Sequence, residues 1–189
     1  MRLIGVVWLA ACLTACAPPA QQPAQASNAC ARSATHAVRF SDSENPDTIT
    51  TRSEGPSCKQ AVVTFVLRDR AGNPLWTLAN TYYDMTAGGT PPPDAPAISD
   101  TQMDRFLAGW ADVTMTHSGT LPEWKQGAAS LTASVQGLSY STALPREAYE
   151  MMRQRDMPLL CFAAAAEATQ CMVMDPATAS PTIIVAYGP

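Results

Sequence analysis

Residues 158–174 read PLLCFAAAAEATQCMVM. Two short apolar runs, Pro158-Leu159-Leu160-Cys161-Phe162 and Gln170-Cys171-Met172-Val173-Met174, are joined by Ala163-Ala164-Ala165-Ala166-Glu167-Ala168-Thr169. Folding the segment back on itself as a hairpin with Cys161 opposite Cys171 centres a tight loop on Ala166. It also sets Leu160 beside Met172 and Leu159 beside Val173. One register then satisfies both a disulfide and a core, and a one-residue slip would satisfy neither. The four consecutive alanines are equally compatible with a helical turn, because alanine is the best helix former.

Upstream of the hairpin, Pro145 is a favoured first helical position, and the helix it opens runs through REAYEMMRQR before Met157-Pro158. Downstream, Pro181 to Tyr187, PTIIVAY, supplies a last apolar strand. The clearest element elsewhere is Ala61 to Arg68, AVVTFVLR, apolar at both parities as a central strand covered on both faces would be. Asp69-Arg70-Ala71-Gly72-Asn73-Pro74 is a turn, and Leu75 to Tyr83 returns as the partner strand. Before it, Thr35 to Ser41, THAVRFS, is a first strand, and Asp47 to Arg52, DTITTR, a second, edge strand. Thr86 to Pro96, TAGGTPPPDAP, is a surface loop with a polyproline centre.

A second helix is signalled by Ser99 at the N-cap and Gln102 three residues on, with Ile98 placed to staple onto Met103. Met103, Phe106, Leu107 and Trp110 follow at i, i+3, i+4 and i+7, one apolar face for a sheet. Val113 to Ser134 is interrupted by Gly119, Pro122 and Gly127 and has no clear period, while Gln136 to Thr142 reads as a strand. The sum is an α+β domain around a mostly antiparallel sheet of about six or seven strands, with two short helices and two disulfides. The chain carries no internal repeat.

Residues 1–15 have one positive charge at Arg2, an apolar run from Leu3 to Leu13, and a small residue ahead of Cys16. That is the layout of a secretory signal, and the run is too short for a bilayer span of about 20 residues. Leu13-Thr14-Ala15-Cys16 fits the lipobox, so the segment resembles the signal of a bacterial lipoprotein. The resemblance implies cleavage before Cys16 and acylation of its sulfur, and of its amine as well; more than one acyl chain is what stable anchoring requires. Ala17 rather than Asp follows the lipid cysteine, which in family terms points to the outer membrane, on its periplasmic face. Residues 16–29, rich in Pro, Gln and Ala, form a tether with no apolar face to bury, and residues 30–189 form one globular domain.

Six cysteines are present. With Cys12 removed in the signal and Cys16 acylated, Cys30, Cys58, Cys161 and Cys171 remain, an even set that an oxidising compartment pairs in one of three ways. The hairpin register selects Cys161 with Cys171, and Cys30 with Cys58 follows by elimination. In the chain-entropy account the longer of these loops contributes roughly 3.5 kcal/mol and the shorter somewhat less.

A formal charge of -4 and a sequence pI near 5.0 argue against nucleic acid and against polybasic binding to anionic lipid. Chemistry is sparse. The sequence has two histidines, His36 and His117, and adjacent His117 and Ser118 point to opposite faces of an extended chain, so no relay joins them. There is no GxSxG, HExxH or Walker-type loop. Asp42 to Asp47, DSENPD, departs from a calcium loop at Pro46 and lacks the turning glycine, so it reads as a solvated loop. Met151, Met152, Met157, Met172 and Met174 could attract Cu(I), but their positions suit core filling. Glu147 and Glu150 sit in the first turns of a helix, where negative charge favours the dipole.

No catalytic residue, metal or cofactor is expected on this reading. The function it favours is a non-catalytic binding domain of the cell envelope, held by the lipid at Cys16 and contacting an envelope protein or component. One version is an inhibitor of an envelope-targeting enzyme such as lysozyme. An envelope enzyme with an unrecognised site and a small-ligand or Cu(I) carrier are the competing classes.

Overall fold

The computed structural model describes residues 29–189, apart from 132 and 136; the signal, Cys16 and the tether through residue 28 lie outside the described residues. Four strands come first: β1 (Arg32–Val38), β2 (Asp47–Glu54), β3 (Val62–Arg68) and β4 (Pro74–Thr81). Two helices follow, α1 (Tyr82–Ala87) and α2 (Asp100–Ala111), then β5 (Thr114–His117), β6 (Ala133–Val135) and β7 (Leu138–Ser141). Helix α3 (Arg146–Gln154) leads into β8 (Pro158–Ala165), β9 (Ala168–Asp175) and β10 (Ser180–Gly188).

The strands form two antiparallel sheets rather than one. The first has the order β1-β2-β3-β4; the second runs β5-β8-β9-β10-β7, with the short β6 on its edge. The α+β class holds, but the described residues form ten strands rather than six or seven and three α-helices rather than two; of the additional elements, β5 and β6 lie where Gly and Pro break the pattern. β2 is interior, not an edge, since β1 begins three residues before Thr35 and pairs with it from Arg32↔Ser53 to Val38↔Asp47.

The hairpin of β8 and β9 has the register its cysteines demand: Leu160 faces Met172 and Cys161 faces Cys171, with the disulfide joining Cα atoms 4.0 Å apart. Its alanines are strand and turn, not helix, with a bulge between Ala163 and Ala165 tightening the return. Alternate residues of these strands enter different cores. Leu160, Phe162 and Met172 face the first sheet, where Phe65 stacks on Phe162 at 5.3 Å and tilts against Trp110 at 5.5 Å. Leu159, Cys161, Cys171 and Val173 face the other way, toward Tyr149 and Met152 of α3. The second disulfide, Cys30–Cys58, lies in the first core, where the backbone N–H of Cys30 also donates to Gly55 O.

β3 corrects an expectation. Val63, Phe65 and Leu67 are buried, but Val62 is 47% exposed and Thr64, Val66 and Arg68 are only half-buried, so one face alone is covered. Apolar β-branched residues at both parities do not require double burial; in an antiparallel sheet they also serve the open face, where Val fits the pleat. β4 stops at Thr81 rather than reaching Tyr83 because Thr81 caps α1, its Oγ1 accepting from Asp84 N at 3.1 Å, and Gly88 ends that helix at φ 70°. The capping box of α2 is present in full, and Met103, Leu107 and Trp110 are buried with Phe106 against them. In α3, Pro145 stands at the cap rather than at the first helical position.

The two tryptophans of the first core differ in one respect. Trp110 Nε1 donates to Ala163 O at 2.8 Å, tying α2 to the second sheet, whereas Trp76 Nε1 is buried without a partner among the described residues. An unpaired buried donor costs about 1–3 kcal/mol, which offsets much of what the larger ring gains by packing. Chemical denaturation should therefore show Trp76→Phe within about 1 kcal/mol of wild type and Trp110→Phe less stable than Trp76→Phe by at least about 1 kcal/mol. Equal losses at the two positions would contradict this account.

Candidate functional site

The second face of the second sheet is covered over only part of its length. At one end α3 and the segment 118–131 lie over Leu159, Val173 and Ile184, and Leu121, Trp124 and Leu131 are buried with them. Polar contacts hold this strap down. Tyr149 Oη donates to Pro122 O at 2.6 Å, and Glu150 Oε1 accepts from Trp124 N at 2.7 Å while Arg153 Nε donates to Oε2 at 2.9 Å. Ser118 is buried; its hydroxyl donates to Met152 O at 2.7 Å and accepts from Met157 N at 2.9 Å.

At the other end the same face is only partly covered, and Tyr140 and Tyr187, both half-buried, pack against the edge of that core. Across β7, β10, β9 and β8 the register places Tyr140, Tyr187, Thr169 and Ala163 side by side. Two large rings are followed by two small side chains, and the step down between Tyr187 and Thr169 leaves a cleft of about 220 Å³. Its far wall is the end of α2 and the start of β5, Gly109 to Thr114 without Ala111, and Cys161 of the disulfide lies in its floor. Tyr140 backs Tyr187 at 5.0 Å between ring centroids, and burial, with the neighbouring Tyr187, pushes the Tyr140 hydroxyl pKa up. Asp112 contributes a carboxylate whose side chain is 75% exposed, with His36 Nε2 at 3.9 Å. A broader trough of about 520 Å³ lies beyond the hairpin tip, lined by Thr86 to Gly88 and Ala165 to Ala168, all small except Glu167.

The residues singled out from sequence are not brought together here. His36 reaches the cleft only through Asp112. His117 is exposed, with Nδ1 3.0 Å from Asp156 O, while Ser118 is turned inward. Asp47 is buried and accepts from Phe40 N, Ser41 N and Ser41 Oγ, and Asp42 accepts from Glu44 N and Asn45 Nδ2, so the acidic loop is self-tied. Met172 and Met152 are core, and Met151 is exposed. Glu150 anchors the strap, and Glu147 faces solvent. Among the described residues no three His, Cys, Asp or Glu side chains converge as metal ligands. Tyr140, Thr169, Tyr187 and Asp112 were not marked by sequence; only strand order makes neighbours of Tyr140 and Tyr187.

Comparison with protein-family models, with curated proteins and with solved structures finds no match for this chain. The cleft brings together Tyr187, the hydroxyl-bearing Thr114 and Thr169, and the Asp112 carboxylate.

The strap carries a pH signature. Burial pushes the Glu150 carboxyl up, but Trp124 N–H and the Arg153 guanidinium outweigh it and hold the pKa below the ordinary 4.5. A depressed folded-state pKa gives stability that is present above 4.5 and lost as pH falls through the folded value. Glu150→Gln should thus lower the melting temperature at pH 7 and narrow the gap to wild type on acidification below that value. A gap independent of pH would show that the carboxylate's charge does not hold the strap.

Proposed function

We propose that the protein is a lipid-anchored, non-catalytic binding domain of a bacterial envelope, attached through Cys16 to the outer membrane on its periplasmic face. Leu13-Thr14-Ala15-Cys16 supports the anchor and the address, and the Pro/Gln-rich tether that follows suits presentation of a domain away from the lipid. The two disulfides are in keeping with an oxidising compartment.

The observation that carries the binding reading is the half-open second face, where a large aromatic pair stands beside a cleft that α3 and the strap leave uncovered. The partner is an envelope protein or component, and the contact runs through Tyr140, Tyr187 and the rim at Asp112 to Thr114.

Mild crosslinking in cells followed by recovery of the tagged full-length protein should give one recurrent partner, joined through this face; a random sample of envelope proteins would defeat the proposal. Separately, Cys16→Ser should abolish acyl labelling and release the protein from the membrane fraction, and unchanged mass and membrane association would mean that Cys16 is no anchor.

A further inference from the structure

We infer that the cleft beside Tyr187 is a subsite for one neutral pyranose ring of a polysaccharide, an inference that rests on the binding reading and gives it a class of ligand. Tyr140 occupies one side of Tyr187, and on the other side the register offers only Thr169 and Ala163, so the half-buried tyrosine lines the cleft beside two much smaller side chains. Rings whose C–H bonds lie on one face and whose hydroxyls lie on the rim suit a tyrosine neighbour, since that side chain combines an apolar body with a polar tip.

Charge narrows the class. No lysine or arginine lines the cleft, so phosphate and carboxylate ligands lack the charge-assisted donors they need, and Asp112 would repel them. What the lining does supply is Thr114, Thr169 and Tyr187 with hydroxyls and Asp112 with two acceptor oxygens, a set that both donates to and accepts from sugar hydroxyls. Size narrows it further. At about 220 Å³ the cleft falls below the roughly 300–1,000 Å³ of sites for drug-sized ligands, which suits one ring. Ala163, Asp112 and Thr114 at its edge are exposed, leaving room for the units on either side of that ring to extend over the surface.

The test is an amide-resolved NMR titration of the full-length protein in detergent with a soluble β-1,4-linked N-acetylglucosamine trimer, alongside butylammonium and inorganic phosphate. The trimer should shift signals from residues 112–114, 162–163, 169 and 187. Tyr187→Ala should weaken it by about tenfold or more, the scale of a lost aromatic contact. Ala163→Leu, which fills the floor from an exposed position, should abolish the response while its remaining amide spectrum reports the intact fold. No response to the trimer, a response centred elsewhere, one that survives Ala163→Leu, or a response to butylammonium alone would each overturn the assignment. A protein partner crosslinked through Tyr187 together with no saccharide response would sink this inference and leave the binding reading standing; absence of both would sink the two together.

Discussion

The pairing of Cys161 with Cys171 is the constraint on which the remaining layers depend. Strands β8 and β9 are shared by two cores, and successive residues alternate between them, so the register of this one hairpin decides which side chains each core receives. A slip of one residue would send Leu160, Phe162 and Met172 to the α3 side and bring Leu159 and Val173 against the first sheet. A covalent bond between directly opposed residues forbids that slip. Both α2, through Trp110 and Ala163, and α3, through Tyr149, are then built against a surface already fixed.

Much of this architecture is legible in the sequence where the signal is local. The hairpin, the capping box at Ser99 and Gln102, and the apolar spacing of Met103, Leu107 and Trp110 are each set within a dozen residues, and each is present as read. Elements governed by distant partners were less legible. β5 and β6 are short, and they exist because a neighbouring strand offers its edge, not because their own composition asks for extension. The end of β4 carries a local signal of its own: Thr81 three residues before Asp84 is a cap. The single covered face of β3 could not be read from Val62 and Val66, since valine is at home on either side of a sheet.

The candidate site lies almost wholly in the illegible part. Tyr140 and Tyr187 stand directly opposite each other on β7 and β10, and neither stretch of sequence marks its tyrosine as special. The cleft is equally a product of what is small: Thr169 and Ala163 belong to a run whose lack of bulk looked like a question of secondary structure. In the folded chain that lack of bulk becomes a difference in height across the sheet. Of the residues with the more reactive side chains, the acidic loop, Glu150 and His117 are tied to nearby backbone, while Glu147 faces solvent and His36 stands beside Asp112. Side-chain reactivity was thus a poor guide to where this surface is available, and side-chain volume a better one.

The staple between Cys30 and Cys58 has a mechanical side. Any pull delivered through the chain upstream of Cys30 would, without it, act on the end of β1 alone, an edge strand that could be peeled from β2 one hydrogen-bonded pair at a time. With the bond in place the load divides, part passing to Cys58 and so to the segment that leads into β3, in the interior of the sheet. Several strand pairs must then yield together rather than in sequence. The domain is reinforced at the point where a tether would tug on it.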